Sequence, residues 1–210
     1  MRRIARFVLV GAAALLAAFV LRQRRRPIMH PPPLTFLFEN PLAEAFVGTD
    51  LLVRRLDVAP GMRVLDAGCG PGRLTVPLAE AVGEEGEVVA VDGQPAMLLK
   101  LEERLKRRGI SNVRLLRATL GEGELTEAGF DRIVLPMVLG EARDRRVTAR
   151  ELHAALKPDG RLSVTEVFGD PDYRRPATVR REVEEAGFVL AGRFGWFPAY
   201  TLNFKRRGAL

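Results

Sequence analysis

The chain has 210 residues, of which 47% are hydrophobic, with one cysteine and a formal net charge of +7. This length suffices for one domain with a full core and a short extension, and a single cysteine excludes an internal disulfide and a multi-cysteine metal site. Seven of the 33 basic residues lie within residues 1–26, which leaves 26 basic and 26 acidic residues for the rest. That balance gives no support to nucleic-acid binding by the main domain.

The N-terminal segment resembles a membrane anchor. Residues 4–21 are apolar apart from Arg6, and a helix of this length spans roughly 27 Å of a ~30 Å hydrocarbon core. A secretory signal peptide would continue with a small-residue cleavage site, whereas Arg-Gln-Arg-Arg-Arg follows at 22–26. We predict an uncleaved anchor over residues 1–26, either spanning the membrane once or lying in its interface, with the basic cluster on the cytoplasmic side.

Three prolines at 31–33 predict a stiff spacer, after which an aromatic segment and an amphipathic segment run to about residue 60. We assign residues 27–60 to a unit of their own. Its aromatic and aliphatic side chains could belong to the core of the following domain or could cover a substrate site.

A glycine-rich turn lies between a predicted strand and a predicted helix. Residues 62–65 form a short apolar run, Asp66-Ala67-Gly68-Cys69-Gly70-Pro71-Gly72 follows, and residues 74–82 return to helical spacing. Strand, glycine turn and helix bring backbone N–H groups to a ligand at the strand's carboxyl end. The dinucleotide fingerprint requires a glycine where Arg73 stands, so the pattern is Asp-x-Gly-x-Gly-x-Gly instead.

A second acid follows at the expected distance. The apolar strand 88–91 ends at Asp92, 22 residues after Gly70, and Pro95 opens a helix that ends before Gly109. An acid at this position can accept hydrogen bonds from both hydroxyls of a ribose. Taken alone, it could equally be a turn or cap residue.

These two motifs together resemble the class I S-adenosylmethionine-dependent methyltransferases over about residues 60–207. The resemblance implies an α/β fold with a seven-stranded, mostly parallel, doubly wound sheet of order 3-2-1-4-5-7-6 and helices on both faces, here within residues 61–210. It also implies S-adenosylmethionine as cofactor, with Asp66 orienting the loop and the methionine end. The implied cofactor-binding residues are Asp66, Gly68, Cys69, Gly70, Gly72, Asp92, Gly93, Thr119, Leu120 and Pro136.

The sequence departs from the family pattern at two of these positions. Thr119 stands where an aspartate commonly takes the adenine amino group, and Gly93 replaces an apolar residue that packs on adenine. Both departures predict weaker adenine recognition, and they leave open a protein that binds the cofactor without catalysis.

The remaining elements follow in the family's order. We predict strands at 112–116, 131–135 and 161–167, a helix at 145–156, a turn at 157–160, and a final hairpin of strands 188–194 and 199–205. Leu135-Pro136-Met137-Val138 does not match the Asn/Asp-Pro-Pro-aromatic tetrad of enzymes that methylate base amines or glutamine amides. The small-molecule and lipid-directed branch of the family remains.

We therefore expect methyl transfer from S-adenosylmethionine to a small apolar or membrane-lipid acceptor, such as a phospholipid or a quinone, at the cytoplasmic face of the cell membrane. In this family the substrate cap usually precedes the glycine motif, which favours residues 27–60 as the cap. The topology places Glu141, Glu166 and Tyr173 near the site as candidate catalytic residues, although each could be a cap or surface residue, and no metal is expected. A membrane-tethered enzyme acting on a soluble metabolite is the alternative.

Overall fold

The computed structural model describes residues 48–168 and 170–208. The predicted anchor at 1–26, the proline spacer and most of the predicted cap lie outside the described residues. Within those residues, no helix combines the length and the apolar character needed to cross a membrane. The helices are α1 (Thr49–Arg55), α2 (Thr75–Val82), α3 (Pro95–Arg108), α4 (Arg145–Ala155) and α5 (Pro176–Glu185), and the strands are β1 (Arg63–Ala67), β2 (Glu87–Asp92), β3 (Val113–Arg117), β4 (Phe130–Pro136), β5 (Leu156–Val167), β6 (Phe188–Gly195) and β7 (Ala199–Arg206).

All seven strands form one sheet with the order β3-β2-β1-β4-β5-β7-β6, as predicted. The pairs from β3 to β5 are parallel, and β7 runs antiparallel to both of its neighbours. The carboxyl ends of β1, β2, β4 and β5 therefore meet at one edge of the sheet. In open sheets of this kind the ligand binds outside that edge, at the point where the strand order reverses.

The sheet is buried on both faces because its central strands are apolar at consecutive positions. Val64, Val88 and Val134 pack on one side with residues of α1 and α2. Their chain neighbours Leu65 and Val89 turn to the other side, where α4 and α5 cover the sheet. Side chains alternate along a strand, so a run of buried valines and leucines supports two cores. This arrangement is the doubly wound fold expected from the sequence.

The predicted turn at 157–160 is incorporated into β5. Phe130 pairs with Leu156 and Arg132 pairs with Arg161, so residues 157–160 bulge opposite the single residue Asp131. The Lys157 ammonium group lies 2.6 Å from Asp131 Oδ1 and fastens the bulge to β4. The helix before it ends at Ala155 instead of 156, because the chain enters the sheet ladder directly from the helix.

Candidate active site

A cavity of about 770 Å³ opens at the carboxyl edge of β1, β2 and β4. The glycine turn after β1 forms one wall, and the loop after β4, from Met137 to Arg143, forms another. Ligand pockets in proteins typically measure about 300–1,000 Å³. The cavity therefore lies where the fold predicts a ligand and has the size of a ligand site.

The glycine turn is fixed to the end of β2 by backbone hydrogen bonds. The N–H groups of Gly68 and Cys69 both donate to the carbonyl of Val91, at 2.8 and 2.9 Å. Gly68, Gly70 and Gly72 have φ angles of +80°, +52° and +85°. Side chains other than glycine adopt this left-handed region only with strain, so the turn requires its three glycines.

The three glycines serve different purposes. A Cβ atom on Gly68 would collide with the side chain of Val138, and one on Gly72 would collide with Leu101. These two positions are glycine because neighbouring elements pack against them. A Cβ on Gly70 would meet nothing within 4 Å, because this residue faces the cavity. Gly70 keeps open the space that a ligand would occupy.

Asp92 joins the glycine turn to the second strand. Its Oδ2 accepts a hydrogen bond from the Gly70 N–H at 2.9 Å, and its Oδ1 accepts one from the Gln94 N–H at 2.8 Å. The side chain is buried, and desolvation raises the pKa of its carboxyl group while the two backbone bonds oppose that rise. An ionised carboxylate has about four acceptor sites, so Asp92 can hold the turn and still accept hydrogen bonds from two hydroxyls.

Asp66 is fully buried at the end of β1 and lines the cavity. Its Oδ2 accepts a hydrogen bond from the Thr75 hydroxyl at 2.6 Å, while Oδ1 accepts none from the described residues. Desolvation raises the pKa of the carboxyl group to about 7; the Thr75 bond opposes this rise and the charge of Asp92 adds to it. A buried acceptor without a partner is unusual in native proteins, and here it points to a donor on a bound ligand.

Every predicted cofactor residue except Gly72 lines the cavity: Asp66, Gly68, Cys69, Gly70, Asp92, Gly93, Thr119, Leu120 and Pro136. The Cys69 thiol is buried and donates a weak hydrogen bond to the Gly70 carbonyl at 3.6 Å. Burial raises the pKa of that thiol, so it stays protonated and is no nucleophile. The Thr119 N–H donates to Glu124 Oε2 at 2.6 Å.

The three candidate catalytic residues are not brought together. Glu141 lines the cavity, whereas Glu166 and Tyr173 do not. Glu166 is buried and accepts a hydrogen bond from the Arg174 N–H at 3.1 Å. Desolvation raises the pKa of its carboxyl group to about 8; the Arg174 N–H opposes the rise, while Asp170 and then Asp172 add to it.

Tyr173 packs its ring edge-to-face on Phe168, with centroids 5.7 Å apart, and on Tyr200, with centroids 6.1 Å apart. Glu166 and Tyr173 thus fasten the segment after β5 to the sheet, and Glu141 is the candidate that faces the ligand space.

Several residues that line the cavity were not predicted from the sequence. Met137 has a φ angle of +57°, held by its N–H donating to the Thr165 carbonyl at 2.8 Å. Methionine carries no signal for this conformation, so only the structure reveals the strained position. Asp170 reaches the cavity from the loop after β5. Thr49 and Leu52 of α1 also line it, so the described end of the predicted cap contributes to the site, while Leu52 also belongs to the core.

Gly70 and Gly109 provide a matched pair of variants. Both glycines are left-handed, with φ angles of +52° and +66°, and a Cβ on either meets nothing within 4 Å. Gly109 ends α3 and does not line the cavity. Replacing either with alanine is expected to cost about 1–2 kcal/mol of stability, because alanine is strained at positive φ. Gly70→Ala alone should weaken S-adenosylmethionine binding in a calorimetric titration, and equal affinities for both variants would contradict the site.

Asp66 predicts a pH dependence of stability without ligand. Its folded-state pKa of about 7 lies above the ordinary value of 3.8, so the unfolded chain loses this proton first as pH rises. The free energy of unfolding should therefore fall between these two pH values. Urea denaturation at pH 5 and pH 7.5 should show a smaller fall for Asp66→Asn than for the wild type. Glu166, whose pKa is also raised, makes a separate contribution that Glu166→Gln removes. An unchanged slope in Asp66→Asn would show that Asp66 is ionised normally.

Residues 59–194, more than half of the chain, match the family model described as a methyltransferase domain. Demethylmenaquinone methyltransferase of Geobacillus kaustophilus is 35% identical over 109 residues, which are 52% of this chain and 47% of that protein. The tRNA (adenine(58)-N(1))-methyltransferase TrmI of Thermus thermophilus is 39% identical over 109 residues, 51% of this chain and 41% of that protein. A solved SAM-dependent methyltransferase from Aquifex aeolicus superposes with a TM-score of 0.77 at 21% identity, covering 84% of this chain and 98% of that one.

The sequence similarities cover only part of the curated relatives' length. The chain spans about half the length of the curated relatives it matches. The likeness to the Aquifex structure, at 21% identity, shows the fold alone. The family match covers the glycine turn, Asp92 and the strands that surround the cavity. The chain therefore belongs to the family of class I S-adenosylmethionine-dependent methyltransferases, and S-adenosylmethionine is the cofactor of that family.

Proposed function

We propose that this protein transfers a methyl group from S-adenosylmethionine to a small, apolar, quinone-like acceptor at the cytoplasmic face of the cell membrane. The observation that carries the proposal is the mixed lining of the cavity. Asp66, Asp92 and the backbone of the glycine turn offer polar groups, whereas Leu52, Met97, Val138 and Ala142 offer apolar side chains. The similarity to demethylmenaquinone methyltransferase supports a quinone-like acceptor.

The polar and the apolar lining groups have separate tasks in this proposal. Asp92 would bind the ribose hydroxyls and Asp66 the methionine end, at the oxygen that has no partner among the described residues. The apolar side chains would hold the acceptor ring and exclude water. When two reactants are held in line in this way, their translational and rotational freedom is lost on binding, so this loss no longer adds to the barrier of the chemical step.

The bound cofactor supplies an electrophilic methyl group on a sulfonium. The methyl–sulfur bond breaks with its electron pair remaining on sulfur, a bond forms between the methyl carbon and the acceptor atom, and the acceptor loses a proton. Glu141 is placed to receive that proton because it is the candidate catalytic acid that lines the cavity. A general base of this kind typically contributes about 10²–10⁴-fold to the rate.

The tRNA-methylating relative raises a nucleic-acid acceptor as the competing function. Binding to a nucleic-acid backbone requires a surplus of Lys and Arg. Residues 27–210 contain equal numbers of basic and acidic residues, because seven of the 33 basic residues belong to the first 26 positions. This balance favours a small acceptor.

We place the protein at the membrane through residues 4–21, with the arginines at 22–26 on the cytoplasmic leaflet, where the cofactor is available. The full chain should sediment with membranes and stay there in high salt, because ions do not screen the burial of an apolar helix. Release by salt alone would contradict a spanning anchor and would indicate an interfacial one. Recovery of the full chain in the soluble fraction at low salt would contradict membrane attachment altogether.

The acceptor is tested by supplying the full chain with methyl-labelled S-adenosylmethionine and vesicles that contain a demethylated quinone. We expect label in the quinone extracted from the vesicles. Gly70→Ala should reduce this transfer while Gly109→Ala retains it, because only the first intrudes on the ligand space. Label that appears only in water-soluble metabolites of a cell extract would contradict the apolar acceptor.

The same assay tests Glu141. Glu141→Gln should lower kcat by at least tenfold without changing the affinity for the cofactor. Glu122→Gln is the matched control, because Glu122 also lines the cavity and is paired with Arg143 at 3.8 Å. Equal kcat values for both variants would exclude Glu141 as the base.

A further inference from the structure

Three large aromatic side chains form an exposed cluster, which we call the aromatic patch: Phe168, Trp196 and Phe197. Their exposed fractions are 59%, 76% and 57%. The rings of Phe168 and Phe197 have centroids 5.1 Å apart, and those of Trp196 and Phe197 are 6.3 Å apart. Contiguous exposed aromatic surface of this kind marks an interaction site, since isolated domains rarely leave such rings in water.

The aromatic patch lies at the same edge of the sheet as the cavity. Phe168 follows the carboxyl end of β5, and Trp196 and Phe197 connect β6 to β7. The Phe168 N–H donates to the Pro198 carbonyl at 2.6 Å, which fixes the two segments to each other. Asp170 lines the cavity and forms a β-bridge with Phe168. The patch is therefore connected to a segment that lines the ligand space.

The charges that flank the aromatic patch are positive. Arg193 on β6 and Arg175, which directly precedes α5, are exposed, and no salt bridge to a carboxylate is formed by either one within the part of the chain that the structure describes. The acids of the same region, Asp170 and Asp172, are buried. Among the described residues, the outer surface thus combines aromatic rings with guanidinium groups that form no salt bridge.

We infer that the aromatic patch is a lipid-contacting surface, which inserts Trp196 and Phe197 into the headgroup region of an anionic bilayer and places Arg175 and Arg193 on lipid phosphates. Tryptophan and phenylalanine favour this interface, and basic residues are attracted to anionic lipid. In the proposed function, the apolar segment 4–21 and the arginines at 22–26 would supply a second, separate attachment to the same membrane. With both in place, the cavity would face the membrane. This orientation rests on the proposed function, because it matters only for an acceptor that enters from the bilayer.

Trp196 is the single tryptophan of the chain, so its fluorescence reports on the patch alone, however the N-terminal segment binds. The full chain is mixed with vesicles of phosphatidylcholine and phosphatidylglycerol, without cofactor or acceptor. We expect the emission to shift to the blue, quenching by acrylamide to fall, and brominated acyl chains to quench the emission. An unchanged spectrum with vesicle-bound protein would overturn the inference. Blue-shifted emission and protection from acrylamide before lipid is added would also overturn it, since protein would then cover the patch.

A relocated tryptophan provides the control. The double variant Trp196→Phe, Glu84→Trp moves the fluorophore to the exposed turn between α2 and β2, at the opposite edge of the sheet. Its emission should stay that of a water-exposed indole when vesicles are added. An equal shift at both positions would show that vesicles perturb the whole domain, and would overturn a specific lipid-facing patch. Because the assay contains no methyl acceptor, failure of quinone methylation and failure of lipid contact are separate results.

Discussion

The hydrogen bond from the Gly70 N–H to Asp92 Oδ2, at 2.9 Å, connects the glycine turn of β1 to the tip of β2. Gly68, Gly70 and Gly72 lie in the left-handed region, and the turn belongs to no sheet or helix ladder, so its shape depends on such bonds. Two further hydrogen bonds, from the N–H groups of Gly68 and Cys69 to the Val91 carbonyl, also connect the turn to the end of β2. Together they hold a cradle whose open side is the cavity, and the cofactor and acceptor assignments both depend on that cradle.

This cradle carries an electrostatic cost. Asp66 is buried with one carboxylate oxygen unpaired among the described residues, and Asp92 is a second acid that lines the same cavity. Folding alone would favour a neutral side chain at either position. Sites that bind ligands commonly retain such unfavourable groups because the ligand compensates them. Glu166 is buried in the same way but does not line the cavity. Its hydrogen bond from the Arg174 N–H instead connects the segment after β5 to that strand.

The sequence predicted those parts of the structure that local rules determine. The spacing of Gly68, Gly70 and Gly72 and the position of Asp92 predicted the turn, and apolar runs predicted every strand of the sheet to within about two residues, apart from the start of β5. Lys157-Pro158-Asp159-Gly160 has the composition of a turn. It becomes a bulge within β5 because the residues before and after it, Leu156 and Arg161, both pair with β4. Strain at Met137 and the reach of Asp170 into the cavity depend on tertiary contacts, which no local pattern encodes.

The most direct test of the proposed cofactor site is a calorimetric titration of the full chain with S-adenosylmethionine. If the cradle is the cofactor site, the titration will saturate at one molecule per chain, and S-adenosylhomocysteine will compete for the same site. The departures at Gly93 and Thr119 predict weaker adenine recognition, so the affinity is expected to be modest while the stoichiometry stays at one. A folded protein that releases no saturable heat with either compound would contradict the assignment of the cavity.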